Sequence, residues 1–596
     1  MKELAYLNKY LWKYKWYLFF GILFTLVSNL FGIIPAQVVS HALGMVKVNI
    51  DTYFLFEGAA MQGSIYSTIT SSIAIFGVLI LFLAILKGIF LFAVRQTIIV
   101  MSRHIEYDLK NEIYAHYQTL PLSFYKKNTT GDLMARISED VSKVRMYLGP
   151  SVMYLINMFI LVFLVVSYMF SVNSRLTWYV LIPMPVLSLT IFIVSSRINK
   201  KSEKIQRSLS QLSTFVQETF SGIRVIKSFA KENYFINSFE KESLNYRSQS
   251  LGLIKIDSLF SPTIMFLIGL STVICVYIGG QEIMAGKLTP GHITEFILYV
   301  FMLTWPLTSL GWTSGQIQRA AASQKRINEF LKTQSDIKSG NKTDTIMKGK
   351  LAFNNVSFTY PDTGIKALQN INFEIEAGKN LAIIGTTGSG KSTLAQLIFR
   401  MFDPIEGHIT IDDYNIKDWD LNHLRKQMAY VPQDVFLFSD TISNNIKFGN
   451  DLKTTKEIIN ASKQAEIYDN IMSFEQGFDT VVGERGITLS GGQKQRTTLA
   501  RALIKNSSIL VLDDCLSAVD TTTENNILEN LKNLAGNITT VIISHRVSNA
   551  RLADKILVLD QGRVVDQGTH DDLISRPGQY RDLYEKQLMI EQQTIE

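Results

Sequence analysis

The chain has 596 residues, 47% of them hydrophobic and 19% charged, with a formal net charge of +7 and two cysteines. That length exceeds one domain, the apolar share exceeds that of a wholly soluble enzyme, and two cysteines exclude a disulfide framework. A basic balance admits a nucleic-acid partner in principle, so the placement of the charge decides its meaning.

From Met1 to Trp16, Leu4, Tyr6, Leu7, Tyr10, Leu11 and Trp12 mix with Lys2, Lys9, Lys13 and Lys15. This mixture predicts an amphipathic helix over 1–16, lying on a membrane face. Six predominantly apolar stretches follow, near Tyr17 to Leu43, Ile69 to Ala93, Val152 to Phe170, Leu176 to Val194, Leu259 to Gly279 and His292 to Leu310. A bilayer core of about 30 Å takes roughly twenty residues to cross, so 17–315 is expected to form a transmembrane domain of six helices.

Lys and Arg crowd into two segments between these spans. The first, 101–146, holds Arg103, Lys110, Lys126, Lys127, Arg136, Lys143 and Arg145; the second, 197–250, holds Arg197, Lys200, Lys201, Lys204, Arg207 and Arg224 among others. The intervening loops hold few, chiefly Lys47, Arg175 and Lys287. By the positive-inside rule both termini and the two long loops are cytoplasmic, and the net charge is explained with no nucleic acid. Within or beside the spans, Lys87, Arg95, Asp257 and Glu295 are open to two readings, a substrate pathway or snorkelling toward a membrane face. The segment 316–350 reads as a linker to a C-terminal domain over 351–596.

In that domain the apolar run Leu381-Ala-Ile-Ile384 leads into Gly385-Thr386-Thr387-Gly388-Ser389-Gly390-Lys391-Ser392-Thr393, and a helix-like Leu394 to Phe399 follows. This is the strand, loop and helix context of a phosphate loop. Its glycines let backbone amides face an anion, and the helix N-terminus adds its dipole. Lys391 is suited to bridge the β- and γ-phosphates of ATP, and the Ser392 hydroxyl to ligate Mg²⁺. Further on, Leu489-Ser490-Gly491-Gly492-Gln493 opens a second helix and offers a hydroxyl and unobstructed amides to an anion. Ile509-Leu-Val-Leu then runs into Asp513 and Asp514. Asp513 fits a Mg²⁺-organising carboxylate, and Asp514 takes the place where a nucleotide hydrolase keeps a water-activating base.

With these motifs in place, residues from about 351 to 585 resemble the nucleotide-binding domain of an ATP-binding cassette (ABC) transporter. The chain as a whole resembles an ABC exporter half-transporter: a membrane all-α six-helix transmembrane domain followed by an α/β P-loop NTPase domain. The resemblance implies that Tyr360 stacks on adenine, that Gln433 contacts Mg²⁺ and the attacking water, and that His545 meets the γ-phosphate. It further implies that Gly483-Glu484-Arg485-Gly486 meets coupling loops and that Ser517-Ala-Val-Asp520 crosses a dimer seam. Phe124 to Arg136 and Gln217 to Phe229 are similar to the two coupling elements of such exporters. The family's working unit has twelve spans and two cassettes, so a second half-transporter is expected as partner, with Ser490, Gly491, Gly492 and Gln493 acting on nucleotide held by the other chain.

One residue departs from the family pattern: Asp514 stands where Glu is usual. Its carboxylate is one methylene shorter, a withdrawal of roughly an ångström that is worth about 10²-fold in rate. Hydrolysis at this chain's own phosphate loop is therefore expected to be slow, and a heterodimer is favoured over a homodimer. The expectation is an ATP-driven exporter of amphipathic compounds, drugs or lipids, in a bacterial inner membrane, with membrane lipid and hydrophobic small molecules as partners. A homodimeric lipid flippase, a cassette-regulated channel or sensor, and an importer built on the same membrane domain stay open.

Overall fold

The computed structural model describes every residue except 1, 59–60, 484–485, 487, 534–535, 537, 552 and 596. It divides into two compact units, Met1–Gln118 with Thr130–Thr333, and Thr119–Thr129 with Gln334–Glu596.

The first unit is built on six long helices: α1 (Lys15–Leu55), α2 (Gln62–Thr119), α3 (Thr130–Val172), α4 (Ser174–Ser221), α5 (Glu232–Met284) and α6 (Pro290–Leu331). Each encloses one stretch read from hydropathy and continues beyond it. The most apolar window of α2 has a mean hydropathy of 2.8, yet only 6% of it is buried. Ile75, Val78, Leu81, Phe82, Ile85 and Phe92 stand exposed on it, a surface that water does not tolerate and hydrocarbon does. Where the helices do pack, they meet around Val165, Met169, Leu176, Val180, Leu187, Cys275, Phe296, Tyr299 and Val300. Small residues let backbones approach: a Cβ on Gly291 of α6 would lie 2.2 Å from the Ser40 carbonyl oxygen of α1.

Charges in this unit find specific partners. Glu282, 2% exposed at the end of α5, accepts from Asn173 Nδ2 at 3.1 Å and pairs with Arg175 at 3.0 Å and Lys287 at 3.7 Å. Two of the few basic residues expected in outside loops thus converge on one carboxylate and tie the α3–α4 turn to α5. Glu295 is buried inside the bundle and accepts from the Tyr299 hydroxyl at 2.9 Å, whereas Lys87, Arg95 and Asp257 are exposed.

The N-terminal segment differs from the single helix expected over 1–16. It forms a 3-10 turn, Lys2–Leu7, and a short helix, Asn8–Lys13, before α1. The cause lies in α2, which offers carboxylates at helical spacing. Tyr6, Lys9 and Tyr10 bond Glu112, Lys13 and Tyr14 bond Asp108, and the Tyr14 ring stacks on His104 at 5.5 Å. Trp12 and Trp16 project on the free side. The linker expected over 316–350 is corrected as well. α6 stays helical to Leu331, because Ala320, Ser323, Gln324, Ile327 and Phe330 are buried at helical spacing, and Met347 already belongs to the core of the second unit.

The second unit carries two sheets. The strands β1 (Leu351–Thr359), β2 (Lys366–Ile375), β4 (Glu406–Ile411) and β5 (Tyr414–Asn415) form an antiparallel sheet in the order β2-β1-β4-β5. The other sheet runs β10-β9-β3-β8-β7-β6, with β3 (Asn380–Gly385), β6 (Met428–Val431), β7 (Ile509–Asp513), β8 (Thr539–Ser544) and β9 (Lys555–Asp560) parallel and β10 (Arg563–Gly568) antiparallel at the edge. Every residue of β7 and β8 is buried, as expected for strands covered on both faces. The helices that bear on the site are α7 (Lys391–Ile398), α8 (Gly491–Leu503), α9 (Thr521–Asn533) and α10 (Gln579–Ile595). Residues 119–129 group with this unit, and Leu122 packs against its core.

Candidate active site

Strand order assembles the site. Because β3, β8, β7 and β6 are neighbours, their carboxyl ends deliver the phosphate loop, His545, Asp513 with Asp514, and Gln433 in one row. Ligands of open α/β sheets lie outside such strand ends. The register is direct, with Ile384 opposite Ser544, Asp513 opposite Ile543, and Val431 opposite Leu512.

The row opens on a cleft of about 660 Å³, within the range of small-molecule sites. Tyr360, Thr387, Gly388, Gly390, Lys391, Ser392, Thr393, Gln433, Asp513, Asp514 and His545 line it. Gly385 and Ser389 are buried and Thr386 is exposed, and none of the three lines the cleft. A Cβ on Gly385 would come 2.1 Å from the Leu559 carbonyl oxygen, and one on Gly390, at φ +101°, 2.5 Å from that of Ala367. Only glycine permits the loop to lie this close to the sheet. The buried Ser389 hydroxyl has no hydrogen-bond partner among the described residues, and the Lys391 ammonium rests on the carbonyls of Gly385 and Thr386, each at 2.8 Å. Burial draws Lys391 below the ordinary lysine range, against the opposing pull of Asp514 and Asp513.

Asp513 and Ser392 meet directly, hydroxyl to carboxylate, at 3.1 Å, and Tyr430 donates to the other carboxylate oxygen at 3.3 Å. Burial raises the Asp513 pKa despite these two bonds. A divalent cation would relieve that cost, and the hydroxyl, carboxylate and amide oxygens of Ser392, Asp513 and Gln433 are the hard donors that suit Mg²⁺. Tyr430 was not foreseen; within the short apolar run of β6 it carries no motif.

Asp514 adopts φ +48°, and its Oδ1 lies 2.8 Å from His545 Nδ1. The loop bearing His545 is held from several sides. Asn549 donates to Glu524 at 2.7 Å and to the Ser544 hydroxyl at 3.1 Å, Arg546 pairs with Glu524, and Gln587 reaches in from α10. Tyr360 donates to or accepts from Thr393 Oγ1 at 2.9 Å, and the Lys126 ammonium sits 4.6 Å from its ring centroid. Cys515 is buried with its thiol pKa pushed up, which makes it an inert core residue.

Ser490 caps α8 through reciprocal bonds with Gln493, at 3.3 Å and 3.0 Å. Gly492 abuts Ala518, and Gln495 bonds the Ser517 hydroxyl and the Ala518 amide, so the Ser-Gly-Gly segment and the loop after Asp514 are joined along one edge. None of Ser490, Gly491, Gly492 or Gln493 lines the cleft. Two residues of the predicted coupling contact, Glu484 and Arg485, lie outside the described residues.

Residues 18–307 match the family model of the ABC transporter transmembrane region, and residues 368–517 that of the ABC transporter. The chain is 38% identical to the uncharacterized ABC transporter ATP-binding protein YknU of Bacillus subtilis, covering 81% of this chain and 83% of the relative. It is 37% identical to the multidrug resistance-like ATP-binding protein MdlA of Escherichia coli, covering 82% of each. It is 34% identical to an ATP-dependent lipid A-core flippase of Syntrophus aciditrophicus, covering 93% of this chain and 90% of the relative. A solved bacterial Atm1-family ABC exporter with ATP bound superimposes with a TM-score of 0.75 at 27% identity, covering 98% of this chain and 99% of that one.

Proposed function

This chain belongs to the ABC transporter family, and on that premise we propose that it couples ATP hydrolysis to export of amphipathic compounds, drugs or lipids, as one half of a dimer. One observation carries the dimer. The cleft gathers the phosphate loop, Asp513, Asp514, Gln433 and His545 of the chain, while its Ser490 to Gln493 segment stands outside. Two chains complete two sites when each segment caps the other's phosphate loop.

In this reading Tyr360 stacks on adenine, the loop amides and Lys391 hold the phosphates, and Ser392, Asp513 and Gln433 hold Mg²⁺. Mg²⁺ held there would supply positive charge to offset that of the phosphates. Asp514 takes the base position, and His545 orders the γ-phosphate. Both termini and the basic loops face the cytoplasm of a bacterial inner membrane, as the Lys and Arg distribution supports. Asp514 favours a heterodimer in which this chain's own site is slow and its intact Leu489 to Gln493 segment completes a competent site in the partner.

The relatives' names point to two cargo classes, and one experiment addresses both. The chain is reconstituted with a partner half-transporter, and ATP-dependent movement of a fluorescent phospholipid and of an amphipathic dye is followed. Transport of at least one, lost without Mg²⁺ or ATP, is expected. A nucleotide-driven conformational change with movement of neither would point instead to a cassette used as a sensor.

A further inference from the structure

The side chain of Gln587 makes two bonds to the loop that carries His545. Its Nε2 donates to the His545 carbonyl at 2.8 Å, and its Oε1 accepts from the Val547 amide at 2.7 Å. One amide side chain thus spans the backbone on both sides of Arg546. Val547 is 1% exposed, so without Gln587 its N–H would lose a partner in a place with little access to water.

The helix that delivers Gln587 is firmly seated. Tyr580, fully buried near the start of α10, pairs its hydroxyl with His570 Nδ1 at 2.7 Å, and Leu583 and Tyr584 pack with it against Val547 and Ala550. Residues 580, 583, 584 and 587 fall on one helix face, so the stripe that anchors α10 also presents Gln587 to the loop. His545 itself has a single side-chain partner among the described residues, Asp514. The direction of its ring toward the cleft therefore depends on the backbone that Gln587 fixes.

We propose that Gln587 is a positioning residue for His545, through which the C-terminal helix sets recognition of the γ-phosphate. The proposal rests on the reading that His545 meets that phosphate, and the test separates the two. In the full-length chain in lipid with Mg²⁺, affinities for ATP and ADP are measured by displacement of a fluorescent ADP analogue. Gln587→Ala is expected to weaken ATP roughly fivefold, the scale of one hydrogen bond, and to leave ADP unchanged. Gln587→Glu keeps the acceptor for Val547 but sets a carboxylate against the His545 carbonyl, and should lose as much. His545→Ala should also weaken ATP selectively, and adding Gln587→Ala to it should cost nothing more.

Equal weakening of ATP and ADP by Gln587→Ala would mark a merely structural role and overturn the proposal. So would no change from either Gln587 variant while His545→Ala weakens ATP. If His545→Ala itself leaves the ATP to ADP ratio intact, the γ-phosphate reading falls and takes the proposal with it.

Discussion

Lys391→Ala is expected to lower the affinity of the purified chain for Mg-ATP by roughly 10- to 100-fold, measured by titration calorimetry. A hydrogen bond to a charged group contributes roughly 1.5–3 kcal/mol, and every 1.4 kcal/mol is about tenfold. The structure places the ammonium at the mouth of the phosphate loop, resting on the carbonyls of Gly385 and Thr386 rather than committed to a carboxylate. Phosphate oxygens are then stronger partners than those it leaves. Unchanged affinity would mean that this cleft is not where nucleotide binds.

Asp514→Glu is expected to raise ATP turnover at this chain's own phosphate loop by about 10²-fold, the scale of a roughly one-ångström misplacement, with ATP affinity little changed. In the wild-type chain the shorter carboxylate pairs with His545 Nδ1 at 2.8 Å, so the two groups proposed to face the γ-phosphate are engaged with each other. An added methylene carries the carboxylate outward into the cleft. Phosphate release is measured in a dimer whose other site is inactivated. A turnover that does not rise would show that something other than side-chain length limits the site.

The strand, turn and helix of the phosphate loop, the helix start at the Ser-Gly-Gly segment and the strand that ends in the paired aspartates were legible because each is a contiguous string. The six helices were legible because hydrocarbon imposes a length on apolar runs. Their extensions were not, since past the bilayer a helix is held by ordinary burial. The pattern of Ala320, Ser323, Gln324 and Ile327 at the end of α6 is mixed with polar residues and reads as a linker. The N-terminal segment failed for a related reason: what shapes it is Asp108 and Glu112, about a hundred residues away. Tyr430 and Gln587 carry no local signature, and only the fold brings them to Asp513 and His545.

With Asp514 in the base position, the faster hydrolysis is proposed to take place in a partner's site. The most direct measurement is ATP turnover of the wild-type chain in lipid, alone and with candidate partner half-transporters. Near silence alone, with turnover restored by a partner that carries Glu after its strand-end Asp, is the predicted result. Brisk turnover of the lone chain, abolished by Asp514→Ala, would contradict it and make the protein a homodimeric pump.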